Sequence, residues 1–163
     1  MILVYSRGVR FRGACLPCIA IFFLSAFAGA QSPPSEGDYS GMYSFLKEGE
    51  FVQITLEEKD TVSGFISRYG ESESDKGSFL DQFFKSGTFS GGKLNFATET
   101  VHGVWFTLDG VLERGPAKTQ QDEAYFVARG TLTRFSTDRN KNVSSETRQV
   151  EFKSFPRDAP PAH

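Results

Sequence analysis

Apolar and polar residues alternate in short runs along most of the chain. Val52, Ile54 and Leu56 are separated by Gln53, Thr55 and Glu57, and Val104, Phe106 and Leu108 by Trp105, Thr107 and Asp109. Ala124, Phe126 and Ala128 alternate in the same way with Tyr125, Val127 and Arg129. A period of two is that of a strand with one buried face. Clusters of turn-forming residues punctuate the runs, as at 47–50, 58–60, 91–92 and 102–103, with longer polar loops over 71–77, 115–123 and 136–145. Between them the pattern predicts about eight strands, near 40–46, 51–57, 61–69, 82–90, 93–101, 103–114, 123–135 and 146–155. Ser78, with Asp81 three residues on, resembles a capping box and predicts one helical turn.

Short connections make consecutive strands antiparallel neighbours. Closing such a meander into an up-and-down barrel buries one face and pairs both edges, whereas a β-sandwich, the alternative, needs longer crossings. The prediction is therefore an all-β, antiparallel up-and-down barrel. The run Gly41-Met42-Tyr43 on the first strand, followed by a meander, resembles the calycin-type barrels of the lipocalin and avidin group. Tyr43 stands where lipocalins carry Trp, and the resemblance implies the architecture without implying any binding residue.

The ends of the chain change the picture of where this domain works. Arg7, Arg10 and Arg12 precede an apolar run over 14–28 that ends in Ala28-Gly29-Ala30, the layout of a secretory signal peptide cleaved after Ala30. That run is shorter than the roughly 20 residues of a membrane span. Cys15 and Cys18 would leave with it, so no disulfide or thiol chemistry is expected in the mature chain. The organisation expected is signal peptide 1–30, disordered linker 31–38, barrel 39–155 and disordered tail 156–163, in a secreted or periplasmic protein. The mature chain carries 15 Lys plus Arg against 20 Asp plus Glu. Its negative balance disfavours nucleic acid or an anionic membrane as partner.

Candidate chemistry is sparse. Residues 87–94, GTFSGGKL, come within one position of a phosphate-binding P-loop, yet Leu94 stands where a magnesium-binding hydroxyl belongs and strand alternation follows in place of a helix. Gly91-Gly92 instead fits a two-residue hairpin turn. Asp138, Asn140 and Asn142 echo a calcium loop, but Val143 replaces its glycine and Gln149 its final acid. Asn142-Val143-Ser144 fits a glycosylation acceptor. His102 is the one core histidine and reads as a turn residue. Glu71, Glu73, Asp75, Asp122 and Glu123 lie in polar loops, where solvated carboxylates are expected. No catalytic constellation, metal site or cofactor is predicted.

Aromatic residues carry what remains. Of 17 phenylalanines, Phe11, Phe22, Phe23 and Phe27 belong to the signal segment and the others to the domain. Tyr43, Phe96, Phe106, Phe126 and Phe152 fall on the inward parity, either as a packed interior or as a lumen for a small apolar ligand oriented by Arg68, Arg129 or Arg134. Phe65, Tyr69, Trp105 and Tyr125 take the opposite parity and could form an outer aromatic strip. Two functions follow as expectations. One is a non-enzymatic binder of a small apolar ligand; the other is a filled barrel that recognises another protein or its own copy through the strip.

Overall fold

The computed structural model describes residues 39–73 and 75–158. The expected signal segment, the linker and residues 159–163 lie outside the described residues. Eight strands follow in order: β1 (Gly41–Ser44), β2 (Phe51–Leu56), β3 (Val62–Tyr69), β4 (Phe79–Ser90), β5 (Lys93–Thr98), β6 (Val104–Arg114), β7 (Phe126–Thr137) and β8 (Val143–Lys153). Each pairs antiparallel with the next in a single sheet. The sheet returns on itself where Tyr43 and Ser154 form an antiparallel bridge and Phe155 N donates to Met42 O at 2.9 Å. This is the up-and-down barrel, and one continuous sheet leaves no room for the sandwich alternative.

Alternation places the core. Val52 and Ile54 on β2, Leu94 and Phe96 on β5, Phe106, Leu108 and Leu112 on β6, and Phe126, Ala128 and Leu132 on β7 all point inward and are buried. On β4 the code inverts partway. Gln82 and Phe84 face inward, but so do Gly87 and Phe89, because a bulge between Phe84 and Ser86 inserts one residue into the ladder with β5. Such a bulge bends the strand and raises its twist, which a closing sheet requires.

The hairpin over 87–94 is as expected. Ser90 pairs with Lys93, and Gly91 and Gly92 have φ of 57° and 82°, the left-handed values of a type I′ turn. The helical turn expected at 78–81 is not there. Phe79, Asp81 and Phe83 alternate with Leu80 and Gln82, and Tyr69↔Phe79 through Phe65↔Phe83 pair them with β3, so strand pairing overrides the local capping signal. At the other end the ordered domain continues past 155. Arg157 N donates to Gln120 O at 2.8 Å, its guanidinium donates to Ser40 O, and its charge lies 5.5 Å from the Phe126 ring centre.

Candidate functional site

The five inward aromatics expected to line a lumen do come together. Tyr43, Phe96, Phe106, Phe126 and Phe152 are each at most 3 % exposed and belong to one packed cluster, with Phe45 against both Phe106 and Phe152 at 5.5 and 5.2 Å between ring centres. Burial pushes the Tyr43 phenol pKa up strongly, and its hydroxyl donates to Tyr39 O at 2.5 Å. These rings form an apolar floor.

Above that floor the barrel opens at the end formed by the β1–β2, β3–β4 and β5–β6 connections, and there the interior turns polar. Arg68, near the end of β3, is only 4 % exposed. Its Nε donates to Gln82 Oε1 at 3.2 Å and its Nη1 to Tyr69 O at 3.3 Å, while the charge lies 5.6 Å from the Phe106 ring centre. Gln82, wholly buried on β4, is fixed in turn by donating Nε2 to Glu99 O and Val104 O, both at 2.7 Å. No carboxylate pairs with Arg68 among the described residues, and its Nη2 makes no hydrogen bond there. Burial lowers the Arg68 pKa, the positive charge of Arg134 lowers it further, and the Glu71, Glu50 and Asp75 carboxylates offset part of the effect. A desolvated guanidinium without a counter-ion is a strong attractor for an anion.

Two adjoining recesses meet at this residue. One, of about 230 Å³, is lined by Arg68, Glu71, Asp75, Leu80, His102 and Arg134 among others. The second, of about 80 Å³, runs from Arg68 past Phe106 to Phe45, Lys47 and Arg148. Glu71 and Arg134 line both recesses, and their ion pair closes at 2.8 Å. Glu71 also receives Lys47 Nζ at 3.3 Å. Burial alone would raise the Glu71 pKa, but Arg134, Lys47 and Arg68 outweigh it and hold the carboxyl below its usual value. Glu50, 3 % exposed, is held by Tyr69 N and Lys47 N, both at 3.1 Å.

Asp75 corrects the expectation of a solvated loop acid. It is 8 % exposed, and its Oδ2 takes Ser72 Oγ at 2.6 Å and lies 2.6 Å from His102 Nδ1. His102 sits at the β5–β6 turn with φ of 49°, the turn residue expected. The order serine, aspartate, histidine is not that of a nucleophilic relay, in which the hydroxyl must meet the imidazole. The pair ties the β3–β4 loop to the β5–β6 turn beside it.

Arg134 is at the mouth, but Arg129 is not. It projects from the outer wall of β7 to Glu113 and Glu151, because odd positions of that strand face out. The four residues expected in one aromatic strip are likewise separated. Phe65 packs between Phe51 and Phe83 at 5.8 and 5.5 Å, and Tyr69 against Phe79 at 4.4 Å, all on the outer wall of β2 to β4. Trp105 stacks on Phe135 at 5.0 Å on β6 and β7, and Tyr125 lies 3.3 Å beneath the Arg114 guanidinium. A further recess of about 230 Å³ on the outer wall, at the 87–94 hairpin, has no charged lining residue. Gln82, Glu50, Lys47 and Arg148 were invisible as site residues in the sequence, because nothing local marks a strand end as one rim of a barrel.

The eight antiparallel strands have the architecture of an avidin-like, calycin-type barrel. Among solved structures, the crystal structure of rhizavidin superposes with a TM-score of 0.54 at 11% identity, covering 76% of this chain and 87% of that one. The rhizavidin–biotin complex gives 0.52 at 12% identity, covering 71% and 98%. No protein-family model matches the chain, and no curated protein is similar to it in sequence. At such identity the likeness concerns the fold.

Proposed function

We propose that this chain is a secreted or periplasmic, non-enzymatic binding protein that takes a small ligand at the open end of its barrel. The ligand has a short apolar part and an anionic group, the anion seated on Arg68. The observation that carries this reading is the buried guanidinium of Arg68, held from behind by Gln82 and making no ion pair among the described residues, while the recess carboxylates are engaged elsewhere, Glu71 by Arg134 and Lys47 and Asp75 by His102. The aromatic floor is filled by side chains, so the seat is the mouth and only a short apolar group fits above Phe106. That the fold is shared with rhizavidin, which is known in complex with biotin, supports small-molecule binding. The Ser72-Asp75-His102 order supports a role without catalysis.

Octanoate and octanol, titrated by isothermal calorimetry, test it. Octanoate should bind and octanol should not, and Arg68→Met should abolish the difference by reducing octanoate affinity more than tenfold, as a charge-assisted hydrogen bond lost from a desolvated site does. Equal binding of both by the native protein would remove the anion from the proposal. Binding of neither, or of phosphate alone, would remove the apolar part.

A further inference from the structure

Among the described residues, strand β8 has a long edge without a strand partner. Its ladder with β7 runs without a break from Val127↔Lys153 to Thr137↔Val143, but on its other side the only strand partner among the described residues is β1, at Ser154. Beyond Lys153 N, which donates to Ser44 Oγ at 3.0 Å, and Phe155 N, which donates to Met42 O, the edge continues alone, and residues 143–149 are exposed throughout. Ser154 N donates to Phe126 O, so even-numbered residues of β8 bond to β7 and odd-numbered ones turn their N–H and C=O groups to the open side. Ser145, Thr147 and Gln149 therefore present an unpaired backbone row.

Sheets ordinarily blunt such edges with brevity, proline, bulges or charge of one sign. The strand is 11 residues long, regular and free of proline, and the two charges within its exposed stretch 143–149 are Glu146 and Arg148. Those two are of opposite sign and two positions apart, with side chains 65% and 42% exposed. An antiparallel copy of the same strand, related by a twofold axis through Thr147, would set Thr147 opposite Thr147 and Ser145 opposite Gln149, bonding the free rows to each other. In that register Glu146 of each copy faces Arg148 of the other. Shifting the axis by one residue either way places Glu146 against Glu146 or Arg148 against Arg148, and like charges directly opposite are destabilising.

We infer that two copies of this chain associate edge to edge through β8, in the register centred on Thr147, joining their barrels into one continuous sheet. The interface touches the ligand seat at Arg148, which lines the smaller recess, and differs from the outer aromatic positions. A single strand pair is a small interface, at the transient end of specific association.

Sedimentation of the purified chain over a rising concentration series tests this. The apparent mass should climb from that of one copy toward twice that value. Glu146→Arg and Arg148→Glu should each hold it at the monomer, and the double reversal E146R/R148E, which restores opposite pairing, should recover the dimer. Thr147→Pro removes an N–H that faces away from β7, so it should abolish the dimer while leaving the circular dichroism and melting temperature near those of the native chain. A native mass fixed at the monomer would overturn the inference. So would a dimer that survives both single reversals, or one that the double reversal fails to restore.

Discussion

The Asp75 carboxylate lies 2.6 Å from His102 Nδ1, although the aspartate is nearly buried and the imidazole is more than half exposed. The contact joins residues 27 apart in sequence and links the β3–β4 loop to the neighbouring β5–β6 turn.

His102→Ala should therefore loosen the β3–β4 loop without unfolding the barrel. Asp75 keeps Ser72, so the loss is that of one partially exposed hydrogen bond, about 0.5–1.5 kcal/mol. Hydrogen exchange should accelerate in residues 75–78 and stay unchanged in β6 and β7. Acceleration spread over the whole barrel would mean that the pair supports the core and not the loop.

Glu71 gives the mouth a dependence on acid. Its pKa is lower in the folded chain than its ordinary 4.5. A depressed carboxyl contributes stability that is complete above the unfolded value and is lost as pH falls through the folded one. With the side chain 47% exposed, solvent screening keeps the effect to about 0.2–1 kcal/mol. Urea unfolding should show Glu71→Gln less stable than the native chain by that amount near neutrality, with the gap closing as pH falls through the lowered folded value. A gap that stays constant with pH would assign the effect to packing.

Tyr125 and Trp105 should respond differently to Ser. Arg114 covers Tyr125 and donates Nη1 to Tyr125 O and Ala117 O, both at 2.8 Å, so Tyr125→Ser should free the 115–123 loop. Its expected loss is about 1–2 kcal/mol for a shielded cation–π contact. Trp105→Ser removes a stack on the outer wall and should lose about 0.5–1.5 kcal/mol. Protease sensitivity in 115–123 should rise only for Tyr125→Ser.

Gly92→Ala places a Cβ at φ of 82° and should lower stability by roughly 1–2 kcal/mol, with little change in ligand affinity. Thermal unfolding beside calorimetry checks both parts.

Strand positions were legible because burial on one face writes itself into period two, and Gly91-Gly92 because positive φ at two successive residues leaves few choices. The strip of Phe65, Tyr69, Trp105 and Tyr125 was not legible as separate groups, since parity names a face but not a place around the barrel. Arg129 was assigned to the interior although its neighbours Phe126 and Ala128 are of opposite parity to it. The helical turn at Ser78 failed because a two-residue capping signal is local, while the β3–β4 ladder is not. The mouth itself depends on Gln82, Asp75 and Glu71, polar residues of ordinary local context that only closure of the sheet assembles.

Arg157 holds Ser40, and Phe155 holds Met42, so the first and last strands of the domain finish side by side. A short polar linker from residue 158 to residue 39, with a new opening cut within 115–123, would give the same barrel a different starting strand. Such a circular permutant moves the fused ends away from the β1–β8 seam and leaves the arginine mouth intact, an arrangement suited to attaching a reporter at the end of the barrel opposite the ligand.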